Sequence, residues 1–154
     1  MWARLRKQVE LEREQLNRLL KIHRPLLGKC VSSPPDEIEL SALAAMLHSF
    51  YTGIENVLKR IAIEVDGASP CGEFWHRELL DAMTRPSNLR PAAISSALRE
   101  RLSEYLEFRH VFRQAYAFQL NWHKMCSLVL GCEQTLRLLE GEWDRFLESG
   151  SGTG

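Results

Sequence analysis

Long apolar runs are missing from this chain: none approaches the roughly 18 to 20 residues that a membrane-spanning helix requires. The opening MWARLRKQVELEREQ is charged throughout and has no apolar signal core, so a cytoplasmic address with no membrane partner is expected. Cysteine is sparse. The four present, Cys30, Cys71, Cys126 and Cys132, form no C-x-x-C pair and have no histidine at zinc-ligand spacing, which argues against a metal site. Cys132 falls on an apolar helical stripe and reads as a small core residue. Neither charge is in excess, with Lys+Arg 20 against Asp+Glu 20, so the broad basic surface of a nonspecific nucleic-acid binder is not expected. Gly-rich phosphate loops, a G-x-S-x-G elbow and an H-E-x-x-H pair are all absent, and no cofactor is expected. No segment alternates with the period of a strand, and no internal repeat is found.

What is present is helical periodicity. The length of 154 residues with 45% hydrophobic and 26% charged residues fits one globular domain. We place that domain at residues 1–148, with a flexible, linker-like tail at 149–154. A first helix is predicted over about residues 2–23, with Leu5, Val9, Leu16 and Leu19 at helical spacing and Pro25 as its stop. Prolines at 34 and 35 and acids at Asp36, Glu37 and Glu39 signal the start of a second helix that runs to about residue 65. Its stripe is Leu40, Leu43, Leu47, Phe50, Ile54, Val57 and Ile61, and Gly53 inside it offers room for a close neighbour. A short helix is predicted over residues 73–84 and another over about 95–118. Asn121 caps a last helix striped by Trp122, Met125, Val129, Cys132, Leu136, Leu139, Trp143 and Phe146. The expected architecture is all-α, an antiparallel up-and-down bundle of four main helices plus one short helix.

The segment of greatest chemical interest is EYLEFRHVFRQAY, residues 104–116. Leu98, Leu102, Tyr105, Arg109, Phe112 and Tyr116 follow each other in steps of three and four, which puts a guanidinium on an apolar helix face. Such a charge needs a partner, a wet cleft or a ligand. Glu55, one step off the stripe of the second helix, either accepts that guanidinium or is a solvated glutamate. Arg85, Arg90, Arg99, Arg101, Arg109 and Arg113 crowd into this part of the chain, and Arg99 and Arg101 read as solvated. His48, His76 and His123 show no partner pattern and read as surface or packing residues.

This segment resembles the signature of the HEPN superfamily, and most closely that of its HepT-like ribonuclease toxins: an arginine, four to six residues, a histidine, one residue and a tyrosine. Arg109 and Tyr116 match, and Gln114 stands where the signature has histidine. FYTGIENVLKRIA at 50–62, WHREL at 75–79 and LNWHKM at 120–125 resemble the same relatives, and the likeness spans roughly residues 40–143. The resemblance implies a HEPN-like bundle and a metal-independent endonuclease with RNA as substrate. It implies a homodimer whose two motifs share a cleft, with Arg109 stabilising phosphate charge and Glu55, His110 and Arg113 in support. It also implies a minimal nucleotidyltransferase antitoxin that transfers AMP to Tyr116; the plainer reading of Tyr116 is a core tyrosine with a bonded hydroxyl. Gln114 cannot move a proton near neutrality, so catalysis is expected to be weakened or lost. His110 could in principle serve instead, but its ring lies about 100° around the helix from Arg109. Positions 109 and 114 lie about 140° apart on an ideal helix, so their cooperation needs a helix break or a dimeric cleft. The competing readings are a degenerate HEPN domain that binds a nucleotide, RNA or protein without cleavage, and a purely structural bundle.

Overall fold

The computed structural model describes residues 1–114 and 116–150, apart from the side chains of Gln114 and Ala117. Among these residues the architecture is the expected all-α bundle, with an isolated Ser87–Arg90 bridge as its one β-type pairing. The helices are α1 (Trp2–Cys30), α2 (Glu37–Ile61), α3 (Trp75–Met83), α4 (Ser96–Gln114), α5 (Trp122–Leu130) and α6 (Cys132–Ser149). A π-helical turn, Ala62–Asp66, extends α2, and a 3-10 turn, Ala117–Gln119, follows α4. None of these helices is long and apolar enough to cross a membrane.

The centre of the bundle is α2. It starts on a reciprocal cap: the Glu39 amide donates to Asp36 Oδ1 at 2.8 Å and the Asp36 amide to Glu39 Oε1 at 3.0 Å. It then packs against α1, α3, α4 and α5. Its predicted stripe is buried from Leu43 to Ile61, but so are Ala44, Met46, Tyr51, Glu55 and Leu58 on its other faces. Enclosure on this scale leaves little room beside the backbone. A Cβ at Gly53 would lie 2.7 Å from Leu16 Cδ2 of α1, the close approach that a glycine at this position suggested.

Four sequence expectations are corrected. First, α1 does not stop before Pro25 but continues to Cys30. Pro25 is exposed and removes one amide from the ladder, while the extra turn buries Cys30 and packs Leu26 and Leu27 on the core. Second, the last helix is two helices that meet at Gly131. The Thr135 hydroxyl donates back to the Gly131 carbonyl at 2.8 Å, a side-chain bond of the kind that bends helices. The predicted stripe survives the joint, with Met125, Val129, Cys132, Leu136, Leu139, Trp143 and Phe146 all buried. Burial pushes the Cys132 thiol up to about 12, as suits a core residue. Third, α4 ends at Gln114 and not near residue 118. The Tyr116 amide donates to Gln119 Oε1 and the Gln119 amide to the Tyr116 carbonyl, both at 2.9 Å, and this local turn competes with further helix. Fourth, α6 reaches Ser149 and Gly150 is buried against the Trp2 ring, so these two residues of the expected tail pack on the bundle; residues 151–154 lie outside the described residues.

The short helix α3 is held in place by arginines, among them Arg99, which its spacing places on a solvated face. Arg90 is buried and spends all its donors: two on Asp66, at 2.7 and 2.9 Å, and three on the carbonyls of Arg85, Pro91 and Ala82. This clamp ties the loop between α3 and α4 to the π-helical turn after α2. Arg99 of α4 binds Asp81 of α3 at 2.6 Å, and Arg101 donates to Thr135 at 3.3 Å, so neither is simply solvated.

The continuation through Pro25 yields a stability prediction. Replacing Pro25 by alanine restores the missing amide donor to the Lys21 carbonyl at an exposed site, and should stabilise the protein by up to about 3 kcal/mol. Urea denaturation measures this; a lower midpoint would show that the bundle depends on a proline-shaped α1.

Candidate active site

The site is built around a buried carboxylate. Glu55 of α2 is 3% exposed. Its Oε1 accepts from Arg109 Nη1 of α4 at 2.9 Å, and its Oε2 accepts from His76 Nδ1 of α3 at 2.6 Å. An ionised carboxylate only accepts, so the bond assigns the proton to Nδ1 and leaves Nε2 as the other ring nitrogen. The His76 ring stacks on Trp75 with centroids 3.5 Å apart, and Lys59 Nζ sits 4.1 Å over the Trp75 ring from α2. His76 is therefore a bonded member of the cluster, contrary to its reading as a surface or packing residue. Nothing in the sequence pairs it with Glu55, which lies 21 positions away on another helix.

Arg109 differs from the other buried arginine. Arg90 uses five hydrogen bonds, whereas Arg109, only 8% exposed, makes one among the described residues. Its Nε is buried without a partner. Its guanidinium carbon lies 6.0 Å from the Tyr51 ring, at the outer limit of a cation–π contact. Burial, reinforced by the Glu55 carboxylate, pushes the Tyr51 phenol far above its usual range, so this hydroxyl stays protonated. A guanidinium held by one carboxylate and left with spare donors is arranged for an anionic oxygen.

Arg109 is one of the residues that line a niche of about 40 Å³, with His76, Leu106, His110 and Arg113. That volume accommodates about one water or one phosphate oxygen, and no nucleotide. His110 and Arg113 are exposed and form its outer rim. The 100° step between Arg109 and His110 thus does not separate them. The local field is positive: burial lowers the His48 pKa, and Arg109 and Arg113 lower it further. A cleft of about 460 Å³ lies on the other face of α4 between Glu104, Glu107, Val111, Lys124 and Met125. It holds none of the residues grouped at Glu55, and its two glutamates oppose anions.

The remaining predicted residues sit apart. Phe112 is half-buried against the core and touches the His48 ring. Tyr116 is 69% exposed and stacks on Phe118 at 5.3 Å, so it shares neither a helix face with Arg109 nor a place in the core. The backbone of Gln114 is the last residue of α4, and its side chain lies outside the described residues.

The ion pair makes its own prediction. Glu55→Leu strands a buried guanidinium and should cost about 3–5 kcal/mol, while Glu55→Leu with Arg109→Met should recover most of it. Thermal and urea melts of both variants check this, and equal destabilisation by the two would mean that packing, not stranded charge, sets the loss.

Comparison with curated proteins and with solved structures returned no match. A family model described as HepT-like protein matches residues 42–149, which takes in every residue of the Glu55 cluster. That match covers well over half of the sequence, and the chain belongs to the HepT-like protein family.

Proposed function

We propose that this chain is the toxin half of a toxin–antitoxin pair and that its chemistry is metal-independent cleavage of RNA, weakened by Gln114. The observation that carries the reading is Arg109, a buried guanidinium with unused donors beside Arg113 and His110 in a chain of the HepT-like family. In this reaction the ribose 2′-oxygen attacks the adjacent phosphorus, and Arg109 stabilises the charge that grows on the phosphoryl oxygens. Because the Gln114 amide neither gains nor loses a proton near neutrality, it can only hydrogen-bond the substrate.

The active species is a homodimer. A niche of about 40 Å³ positions no nucleotide by itself, so a second surface has to close over it. The unbroken α4 between Arg109 and Gln114 supports a shared cleft over a helix break. Val111, Tyr116 and Phe118, all more than half exposed, supply apolar surface next to that helix end. Tyr116 is the position for adenylylation by a minimal nucleotidyltransferase antitoxin. Its hydroxyl lies on an exposed side chain that an enzyme can reach, and the added phosphate brings negative charge to a cationic rim. A second reading, binding of RNA or nucleotide without cleavage, is favoured by Gln114 alone.

Three outcomes test the proposal. Gln114→His should raise cleavage of single-stranded RNA by about 10²- to 10⁴-fold, without inhibition by EDTA, and Arg109→Ala should abolish it. An inert, folded Gln114→His variant would favour binding without cleavage. Light scattering should give twice the 17.8 kDa chain mass, and a monomer at micromolar concentration would sink the shared cleft. Incubation with the cognate nucleotidyltransferase, ATP and magnesium should add one adenylate by intact mass, and Tyr116→Phe should prevent it; an adduct on Tyr51 or Tyr105 would displace Tyr116 from the scheme.

A further inference from the structure

The geometry points to His76 as the proton acceptor for the RNA-cleaving site: we propose that its Nε2, set by the Glu55–Nδ1 bond, takes the 2′-hydroxyl proton of the substrate in place of residue 114. The inference rests on the reading of Arg109 as the phosphate-stabilising group. It concerns which side chain supplies the base.

Three observations carry it. A base needs an orienting partner, and Glu55 Oε2 holds Nδ1 at 2.6 Å from inside the bundle. A base needs access. The His76 side chain is 23% exposed, lines the same niche as Arg109, and is fixed from behind by the Trp75 ring at 3.5 Å. Finally, base and phosphate clamp need a fixed spacing, and here one carboxylate holds both, through Oε1 on Arg109 and Oε2 on His76. The charged and titratable groups around His76 are Glu55 and Lys59 from α2 and Arg109, His110 and Arg113 from α4. Of these, His110 has no carboxylate partner among the described residues, so its ring orientation is not fixed in the same way.

In the step proposed, the 2′-hydroxyl proton passes to Nε2 as the 2′-oxygen bonds to phosphorus. The bond from phosphorus to the 5′-oxygen breaks, and the leaving oxygen takes a proton from water. The imidazolium then returns its proton to water. The products are a 2′,3′-cyclic phosphate and a 5′-hydroxyl, with no change of oxidation state and no metal.

The test uses the full chain on an end-labelled pool of mixed-sequence single-stranded RNA, with the 2′-deoxy pool as the uncleavable control. The chain itself should cleave slowly and leave cyclic phosphate ends. His76→Ala should lose about 10²-fold or more, and added imidazole should restore part of it, because free base can occupy the vacated place. His76→Gln, which keeps a hydrogen bond to Glu55 but no base, should lose as much with an unchanged melting temperature. Rescue by imidazole is the readout that a purely structural histidine would not give. Cleavage that Arg109→Ala abolishes but His76→Ala and His76→Gln leave intact overturns the role of His76 and keeps the Arg109 site. So does cleavage by Gln114→His with none by the present chain. No cleavage by either the present chain or Gln114→His overturns both readings together.

Discussion

The Glu55 carboxylate is the constraint on which the site depends. It sits on the most enclosed helix of the bundle, where an unpaired ion costs several kcal/mol. Its two oxygens are met from two directions, by α3 through His76 and by α4 through Arg109. That requirement fixes how α3 and α4 stand against α2. The Arg90 clamp and the Arg99–Asp81 pair brace α3 from its far end, so His76 is held by both termini of its helix. A buried ion pair of this kind adds little over a well-packed apolar pair of the same size. Stability alone therefore gives no reason for Glu55 and Arg109, whereas a site that needs a fixed guanidinium does.

A formal net charge of zero conceals this site. Most arginines outside it are spent on partners in the fold: Arg90 on Asp66, Arg99 on Asp81, Arg13 on Glu140 and Asp144. At the site, Arg109 keeps donors beyond its bond to Glu55 and Arg113 stands on the rim, and burial together with these two guanidinium groups lowers the His48 pKa. A chain with no net charge attracts a polyanion weakly at long range. In the reading proposed above, recognition of RNA therefore comes from short-range contacts, and a niche too small to bind a nucleotide unaided agrees with that.

Periodicity made most of the fold legible. Spacing and residue type gave the buried stripes of α2 and of α5 with α6, the start of α2 near Asp36, the Asn121 cap and the close approach at Gly53. They failed where a non-local or side-chain term wins. Pro25 reads as a stop until Cys30 and its neighbours are seen against the core. Tyr116 reads as part of a stripe because period carries no information about the Gln119 side chain that closes a turn on it. At the site, Arg109 stood out as a charge on an apolar face and Glu55 as its possible acceptor. The burial of Glu55 followed from four helices surrounding α2, a property of the packing and not of any segment. His76 had no local signal, because its partner is supplied by another helix across a loop.

The position of the missing histidine has a different physical status from the cluster. Residue 114 is the last of α4, past Arg109, which is the final fully buried side chain of that helix. Glu55 and Arg109 are bound to each other inside the bundle, and loss of either leaves the other charge buried and unpaired. The pair thus ties the place of Arg109 on α4 to the burial of Glu55 on α2. In the reading proposed above, Gln114 changes the proton chemistry available to the site, while the guanidinium and its carboxylate are still held by each other.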